Sequence, residues 1–510
     1  MQSLGSTDLS ISELSISEWF YRNRTIAGFD NPARSLYVSI RELVENSLDA
    51  CESARVLPSV RVGLFRVSIE SDTHGISNGP QQYRLTVRDN GTGIPRDSVP
   101  KLLGKMLTGT KFSLRQTRGT FGLGGSLALL YGQITTQSPI EITTSVQGST
   151  ARNHLQVKLD IENNEPVIVD ESSEKKDPSE HGTRVSYRLE GDWFRSKRRI
   201  TEYFSQTSVI VPYASLRLET PDGEPFVLPR VIDALPEEPR EMKPHPCGID
   251  VEMLKQMTKS TGRNTIASFL MSEFQGIGRK TAHQFLRFAG IELERHPAEL
   301  DDDDLVGLMG KMASYRGFRS PSPRSLSPAG EEVLVAGMNR LGPDIVVAKT
   351  RAPSVYRGHP FIVETGIAYG GAIGSGIRLL RFANRIPLLY DERNDVSSRV
   401  LGELNLRNYG LKPDDPLAFF VHICSTKIPY KTVGKEFIAD VDSVRHEINL
   451  SIKDCMRRLG DQVRKKQRRR SMRQRENRLQ IYYRFIADTL SEATNQEVDI
   501  NSMFGKERTS

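Results

Sequence analysis

The chain has 510 residues, of which 37% are hydrophobic and 26% are charged, enough for about three domains with apolar cores. Its net charge of +7 gives a modest preference for polyanions. Four scattered cysteines without Cys-x-x-Cys spacing argue against a disulfide framework and a zinc site. Residues 1–12 are polar, unlike a signal peptide, and no apolar run is long enough to cross a bilayer. We therefore expect a cytoplasmic protein without a membrane segment.

The first half of the chain alternates between helical and strand patterns. A serine-capped helix is predicted at 17–22, and Asn31-Pro32 begins a long helix, with Asn as the cap and Pro in the first turn. Strands are predicted at 60–69, 83–87, 141–145, 155–161, 167–169, 183–189, 214–219 and 225–229, with another helix at 197–206. Residues 96–118 are polar and glycine-containing and are predicted to form a lid, whereas 172–180 are predicted to form an exposed loop.

The second half divides at proline-rich stretches. Four prolines within 236–246 mark a boundary, and alternating Ser and Pro in 319–328 indicate a linker. Helices are predicted at 250–259, 266–272, 279–288 and 305–314, strands at 361–365, 378–382, 387–390 and 417–425, and a very long helix at 441–492. The predicted domains are 1–235, 236–318 and 329–510, joined by the linker 319–328.

One stretch of the first long helix carries acidic and amide groups on a single stripe. At about 100° per residue, Glu42, Asn46 and Asp49 fall within about 60° of one another, opposite an apolar arc. A solvated helix face would explain this pattern alone. Two further stretches favour a site: Asp89-Asn90-Gly91-Thr92-Gly93 at the end of a strand, and the glycine-rich stretch 119–126 at the start of an apolar helix.

These residue types suit the hydrolysis of a nucleoside triphosphate. Glu42 fits a general base for water, and the neutral oxygen of Asn46 fits a ligand of Mg²⁺, which prefers oxygen. Asp89 can accept a hydrogen bond from the amino group of adenine. The glycine-rich stretch offers N–H groups to phosphate at a helix N-terminus. No Gly-Lys-[Ser/Thr] ending is present, since Gly109-Thr110-Lys111-Phe112 does not match it, and a P-loop is therefore rejected.

The three stretches together resemble the Bergerat ATP-binding fold of the GHKL ATPases, which include gyrase, the ninety-kilodalton heat-shock chaperone, sensor histidine kinases and MutL. The resemblance implies ATP and Mg²⁺ as cofactors, and Glu42 and Lys427 as catalytic residues. It implies that ATP is bound by Asn46, Asp49, Asp89, Gly93, Thr110, Lys111, Gly119, Thr120, Phe121, Gly122, Leu123, Gly124, Gly125, Ser126, Thr183 and Lys427. Many relatives have Gln-Gln where this chain has Thr120-Phe121, so the side-chain contacts at those two positions differ.

Three further stretches, at 41–50, 107–112 and 424–431, resemble the B subunits of topoisomerase VI, the type IIB DNA topoisomerases. This resemblance spans roughly residues 17–495. It implies a multidomain α/β (α+β) fold: a Bergerat-fold α/β sandwich, a helix-two-turns-helix insert, and a transducer like the second domain of ribosomal protein S5 with a long C-terminal helix. Lys427, in Ser425-Thr426-Lys427, would be the switch lysine that senses the terminal phosphate; Lys431 and Lys435 are rival positions.

The same resemblance implies partners. Segment 17–29 would exchange between two copies when ATP binds, and an A subunit would supply the DNA-cleaving tyrosine and metal site in an A2B2 heterotetramer. The apolar stretch 479–490 is predicted to dock that subunit. Double-stranded DNA is expected to meet the helical insert through Lys255, Lys259, Arg279 and Lys280, and the basic block 464–478 of the last helix. The expected location is the cytoplasm, in association with the nucleoid.

Parts of the sequence also fit three other functions. In a sensor kinase, His446 would be a phosphoacceptor, but such a histidine normally precedes the ATP domain. A chaperone-like clamp acting on proteins without DNA is the main alternative; the basic insert and Ser425-Thr426-Lys427 argue against it. A scaffold without enzymatic activity disagrees with an intact Glu42, Asn46 and Asp89. Asp440-Val441-Asp442 has the spacing of a metal site but is interpreted as a helix cap.

Overall fold

A computed structural model of the protein describes residues 20, 24–67, 80–100, 114–119, 124–160, 165–431 and 436–494. The helices are α1 Arg24–Ala27, α2 Pro32–Ser53, α3 Gly124–Thr136, α4 Trp193–Ile210, α5 Val251–Ser260, α6 Ile266–Glu273, α7 Arg279–Ala289, α8 Asp302–Ser314, α9 Glu331–Met338, α10 Val396–Gly402 and α11 Asp442–Thr494. The strands are β1 Ser59–Arg66, β2 Gln81–Arg88, β3 Ile140–Ser145, β4 Ala151–Asp160, β5 Glu165–Lys175, β6 Gly182–Gly191, β7 Ser215–Glu219, β8 Phe226–Leu228, β9 Ile345–Thr350, β10 Ser354–Tyr356, β11 His359–Tyr369, β12 Ile377–Ala383, β13 Ile386–Pro387 and β14 Leu417–Ser425. None of the described helices combines the length and apolar character that crossing a membrane requires.

The first eight strands form one mixed sheet in the order β5-β4-β3-β6-β2-β1-β7-β8, in which only β1 and β7 run parallel. The strands alternate: Val60, Val62 and Leu64 of β1 are buried, whereas Arg61 and Phe65 are exposed. Helices α2, α3 and α4 cover the buried face. The architecture is therefore a two-layer α/β sandwich with one open sheet face, as the fold prediction requires.

Helix α2 begins as the sequence predicts. The side chain of Asn31 accepts a hydrogen bond from the Arg34 N–H (2.9 Å), and Pro32 occupies the first turn. Leu36, Ile40 and Val44 are fully buried against the sheet. This packing fixes the rotation of the helix and therefore the direction of its polar stripe.

The expectation of an exposed loop at 172–180 is wrong for its first part. Strand β5 continues to Lys175 because it pairs with β4 along its whole length, through a register shift at Gln156 and Val157. Its polar residues lie at the sheet edge and show no alternation, so they resemble a loop in the sequence. The strand predicted at 387–390 is shorter than expected, because β13 contains only Ile386 and Pro387.

Helices α5 to α8 form a separate small core around Leu254, Phe269 and Phe285. Each of the predicted helices is present within a few residues. The acidic run 301–304 caps α8: the Asp301 side chain accepts from the Asp304 N–H (2.8 Å). The sequence predicts an exposed turn at 301–304 before the helix, whereas Asp302 to Asp304 already belong to the first turn of α8.

The second sheet has the order β10-β11-β14-β12-β13, with β9 also pairing with β11. Strand β14 is buried along its whole length, because α11 covers one face of this sheet and α9 lies against β9 and β11. Helix α11 has 53 residues, about 80 Å at 1.5 Å per residue, and its buried side chains are concentrated before Val463. The remainder extends away from the sheet.

A buried cluster of charges joins the two sheet-containing parts of the chain. Glu52, in the last turn of α2, accepts hydrogen bonds from Arg118 (2.5 Å), Arg385 (2.8 Å) and the Tyr213 hydroxyl (2.6 Å). Arg118 and Arg385 are 2% and 6% exposed, so both guanidinium groups are removed from water. Ser327 accepts a further bond from Arg385 (3.0 Å) through its carbonyl oxygen. Glu52 therefore pairs with two cations from distant parts of the sequence, and Asp49 also pairs with one of them, Arg118.

The segment 319–328, predicted as a linker, is packed at its C-terminal end. Ser325 and Ser327 are almost completely buried. Gln116 holds Ser327 at both backbone groups, donating to its carbonyl (3.1 Å) and accepting from its N–H (2.8 Å). This segment is consequently a fixed part of the junction.

The junction predicts a specific acid sensitivity. Burial alone would raise the pKa of Glu52, but Arg118 and Arg385 outweigh it and lower the pKa to about 2. The resulting stabilisation is complete above the ordinary glutamate pKa and is lost as the pH falls from about 4.5 towards 2. At neutral pH it is worth on the order of 3 kcal/mol.

We therefore expect Glu52→Gln to lower the melting temperature at pH 7 by several degrees, with the difference from the wild type shrinking as the pH falls towards 2. Glu171→Gln is the matched control, because that exposed carboxylate pairs with Arg96 at the surface. Thermal denaturation across this pH range measures the effect. An equal loss of stability in both variants at every pH would contradict the assignment.

Candidate active site

The predicted general base lies in a buried, charge-balanced position. Glu42 is 7% exposed, and its Oε1 accepts a hydrogen bond from Arg41 Nη2 (2.6 Å). Arg41 also lies 3.5 Å from Glu45. Burial alone would lower the pKa of Arg41, but Glu42 and Glu45 outweigh it and raise the pKa, so the guanidinium keeps its charge. Arg41 thus fixes the position of the Glu42 carboxylate.

The N-terminus of α3 lies directly against this stripe of α2. A Cβ atom added to Gly124 would lie 1.7 Å from Glu42 Oε2, and one added to Gly125 would lie 2.6 Å from Asn46 Nδ2. Asn46 itself is exposed and makes no hydrogen bond in the part of the chain that the structure describes. The N-terminus of α3, which favours anions, therefore lies beside the Glu42 carboxylate and the exposed Asn46 amide.

Asp89 is held at the end of β2 by three donors. Its Oδ1 accepts from the N–H groups of Gly91 (2.8 Å) and Thr183 (3.1 Å), and its Oδ2 accepts from the Ser47 hydroxyl (3.0 Å). Burial raises the pKa of Asp89, and these hydrogen bonds oppose the rise. Because a carboxylate has about four acceptor positions, one remains for a ligand N–H.

Glycine is required sterically on the loop that follows. Gly93 has φ +71°, and a Cβ there would lie 2.0 Å from the Ser145 carbonyl oxygen. A Cβ on Gly91 would lie 2.6 Å from that of Ala50 in α2. The loop therefore approaches the neighbouring backbone more closely than any other residue type allows.

Asp49, the third residue of the predicted stripe, is occupied by a protein partner. It accepts hydrogen bonds from the Arg118 side chain (2.6 Å) and the Arg118 N–H (3.2 Å). Arg118 immediately precedes Gly119, so α2 anchors the start of the glycine-rich stretch through this pair. In this structure Asp49 positions the stretch and has its charge balanced there.

Lys427, predicted as the switch lysine, forms no ion pair among the described residues. Lys427 is exposed, and its positive charge contributes, after burial, to lowering the pKa of His359 to about 4. Tyr430, three residues further on, is half-buried, and burial together with the charges of Glu45 and Glu42 raises its pKa. The segment carrying Lys427 thus reaches the rear of the pocket through Tyr430.

Asn384 connects that segment to the glycine-rich stretch. Its side chain donates to the carbonyl oxygens of Thr117 (3.0 Å) and Ser425 (2.9 Å) and accepts from the Ser425 N–H (2.9 Å). Asn384 and Arg385 form the two-residue turn between β12 and β13, with φ of +46° and +64°. A non-glycine pair in this conformation is uncommon.

Arg118, Asn384 and Arg385 were not predicted as site residues. Asn384 tolerates positive φ and lies between apolar runs, which is a weak signal for a turn at the last two. No sequence pattern indicates that their side chains meet Glu52, Thr117 and Ser425 across the junction. Of the other predicted residues, Thr110, Lys111, 120–123 and Lys435 lie outside the described residues, while Gly119 is described and has open space around its Cα.

The predicted DNA-contacting residues differ in their availability. Lys255 forms an ion pair with Asp302 (2.6 Å), whereas Lys259, Arg279 and Lys280 are exposed. Lys255 is consequently a weaker candidate than the other three.

One buried group of potential metal ligands serves another purpose. Glu364, His422 and Cys424 lie together, but the Glu364 carboxylate already accepts bonds from His422 Nδ1 (2.8 Å) and the N–H groups of Ala329 (2.7 Å) and Gly330 (2.8 Å). His422 Nε2 accepts from the Arg385 N–H (2.9 Å). This group stabilises the start of α9 and the turn that carries Arg385.

The contact between α3 and Glu42 leads to a steric prediction. We expect Gly124→Ala to displace the Glu42 carboxylate and to lower nucleotide turnover at least about tenfold, because small misplacements of a reacting group are costly. Gly307→Ala is the control: Gly307 also lies in a helix, with open space around it, so alanine is expected to be neutral or slightly stabilising. Steady-state ATPase assays compare the two; wild-type turnover in Gly124→Ala would contradict the geometry.

Comparison with known proteins agrees with this organisation. Residues 31–190 match the family model for the histidine kinase-, DNA gyrase B- and HSP90-like ATPases, and residues 321–475 match that for the topoisomerase VI B subunit transducer. Both matches fall on the sheets described above.

Curated relatives match almost the whole chain. The B subunit of type 2 DNA topoisomerase 6 from Metallosphaera sedula is 42% identical over 482 residues, covering 94% of this chain and 88% of the relative. That of Saccharolobus solfataricus is 42% identical over 453 residues, covering 88% and 84%. A crystal structure of the gyrase B subunit from Myxococcus xanthus overlaps 87% of this chain and 95% of its own, at 9% identity and a TM-score of 0.43. At 42% identity over nearly their full lengths, the relatives show that this chain belongs to the family of topoisomerase VI B subunits.

Proposed function

We propose that this chain is a nucleotide-driven gate: ATP joins two copies at their N-terminal segments around a DNA duplex, and hydrolysis reopens them. The family assigns the chain as the ATPase subunit of an ATP-dependent type IIB DNA topoisomerase. The gate is our proposal for how that activity is performed. The observation that carries its nucleotide-hydrolysing step is the contact of Gly124 and Gly125 at the N-terminus of α3 with Glu42 and Asn46 of α2.

Glu42 is proposed to orient the attacking water and accept its proton. The carboxylate lies beside the helix end that would receive phosphates, and Arg41 prevents it from rotating away. Asp89 would accept from the amino group of adenine at the other end of the pocket, where its remaining acceptor position lies. The two groups therefore bracket a nucleotide lying along α2.

Asn46 fits a ligand of Mg²⁺. Its amide is exposed beside Gly125, is neutral, and is not used by another described residue. Mg²⁺ typically takes one or two protein ligands and completes its coordination with phosphate oxygens and water. When bound there, the ion would neutralise charge on the phosphates.

Lys427 is proposed to sense the terminal phosphate. Reaching it requires the segment 425–428 to move, because Lys427 is exposed near His359 and Thr426 shares a hydrogen bond with His359 Nδ1 (3.0 Å). Asn384 holds both Ser425 and Thr117, so a shift of the glycine-rich stretch would be transmitted to Lys427. Loss of the terminal phosphate would release the lysine and reset the gate.

The A subunit would dock on the last part of α11 and cleave the second duplex in an A2B2 assembly. Exposed apolar residues on that part of the helix support this: Ile481, Tyr482 and Phe485 are each more than 60% exposed. Lys259, Arg279, Lys280 and the basic block 464–478 are proposed to contact DNA phosphates. Such an assembly would act in the cytoplasm at the nucleoid.

The role of Glu42 is tested by Glu42→Ala. We expect ATP binding to persist, because the adenine and phosphate contacts remain, and turnover to fall at least about 100-fold, the contribution of a typical general base. Isothermal titration with ATP and a steady-state ATPase assay measure the two quantities. Glu141→Ala, an exposed carboxylate of β3, is the control and should leave both unchanged. Turnover retained in Glu42→Ala would remove Glu42 from this role.

A further inference from the structure

The open face of the first sheet carries a row of arginines. The strand registers place Arg184 opposite Arg88, Arg88 opposite Arg61, and Arg61 opposite Arg217, on the adjacent strands β6, β2, β1 and β7. All four are exposed. A second row begins further along β6 and β2, where Arg188 lies opposite Arg84. The helices cover the other face, so both rows face solvent.

Most of these arginines have no acidic partner among the described residues. In the described part of the chain, Arg61, Arg84, Arg88 and Arg184 form no ion pair, and only Arg217 of the first row has a carboxylate partner, Glu219 (3.1 Å). The strip between the two rows carries Glu141 at one end and Glu219 at the other, separated by Ser186, Thr86 and Gly63.

Like charges directly opposite one another across strands destabilise a sheet. A stable sheet surface ordinarily mixes both signs of charge. The adjacent pairs of arginines on this face therefore lower the stability of the fold. Such unfavourable pairs are expected where a surface binds a partner of opposite charge.

We propose that this sheet face, defined by Arg61, Arg84, Arg88, Arg184, Arg188 and Arg217, binds the phosphate backbone of a DNA duplex. Four strands at about 4.8 Å spacing extend over about 14 Å, and that length of duplex carries about eight phosphates. Guanidinium groups pair with phosphate through two parallel N–H donors. The inference rests on the proposed function, which supplies the duplex, and it adds a binding surface on the side of the sheet opposite the nucleotide pocket.

The face favours a duplex over single-stranded nucleic acid. Surfaces that bind single strands combine positive charge with aromatic rings on which bases stack. The only aromatic side chain among the outward positions of β1, β2, β6 and β7 is Phe65. Its ring lies over Gly63, 2.6 Å from where a Cβ would be, so it covers the strand backbone. A flat charged face of this kind suits the regular backbone of a duplex.

The test is the salt dependence of duplex binding by the full chain. We expect Arg61→Gln/Arg84→Gln/Arg184→Gln to weaken binding and to reduce the magnitude of the slope of log K against log salt by about 2.7, since each phosphate contact contributes about 0.9. The control is Arg378→Gln/Arg393→Gln/Arg407→Gln, three exposed arginines around the second sheet that have no ion pair in the described residues. The melting temperature of the first variant should not fall, because like-charge neighbours are removed.

Nucleotide-dependent dimerisation is measured in parallel on the same variants. If the triple variant of the sheet face dimerises normally and keeps the wild-type salt slope, the sheet face does not bind DNA. That result would leave the proposed nucleotide-driven gate unaffected. An equal reduction of the slope in the control would show an effect of net charge alone and would also overturn the inference. A wild-type chain that fails to dimerise would instead contradict the proposed function.

Discussion

The structure depends on one carboxylate. Glu52 lies in the last turn of the helix that carries Glu42 and Asn46, and it pairs with two buried arginines, Arg118 and Arg385, the first of which also pairs with Asp49. Removing one member of such a cluster leaves a buried charge uncompensated, which typically costs about 3–5 kcal/mol. Arg118 begins the glycine-rich stretch and Arg385 belongs to the second sheet. Glu52 therefore helps to fix the relative placement of the helix, the glycine-rich stretch and the second sheet, together with the apolar core that spans both sheets.

This arrangement explains how a small event at the pocket could be communicated over a long distance. Movement of the glycine-rich stretch must move Arg118 or Thr117. Asn384 forms hydrogen bonds both with Thr117 and with Ser425, two residues before Lys427. The Arg385 N–H donates to His422, and His422 donates to Glu364 of β11, which also accepts hydrogen bonds from the start of α9. Packed networks of this kind have discrete arrangements and do not deform continuously, so they suit a two-state gate.

The sequence predicted most of the fold, and the structure brings Glu42 and Asn46 beside the glycine-rich stretch that the sequence grouped with them. The Asn31-Pro32 cap and the apolar arc of α2 have local physical causes. The glycines at 91, 93, 124 and 125 stand out in the sequence as glycine-rich stretches, although the contacts that require glycine come from distant residues. What the sequence did not reveal depends on contacts between distant residues: Asp49 bound to Arg118, Arg385 bound to Glu52, and the arginines aligned across four strands. Strand β5 was partly missed for a related reason, since pairing with β4 and not its own periodicity makes it a strand.

The central claim is that nucleotide joins two copies of this chain, and light scattering of the pure protein with a non-hydrolysable ATP analogue and Mg²⁺ tests it most directly. We expect the mass to rise from the 57.3 kDa of one chain to twice that value when the analogue is added, and to remain at one chain without it. A titration of the analogue under the same conditions establishes that the pocket is occupied. A mass that stays at one chain while the pocket is filled would contradict the account.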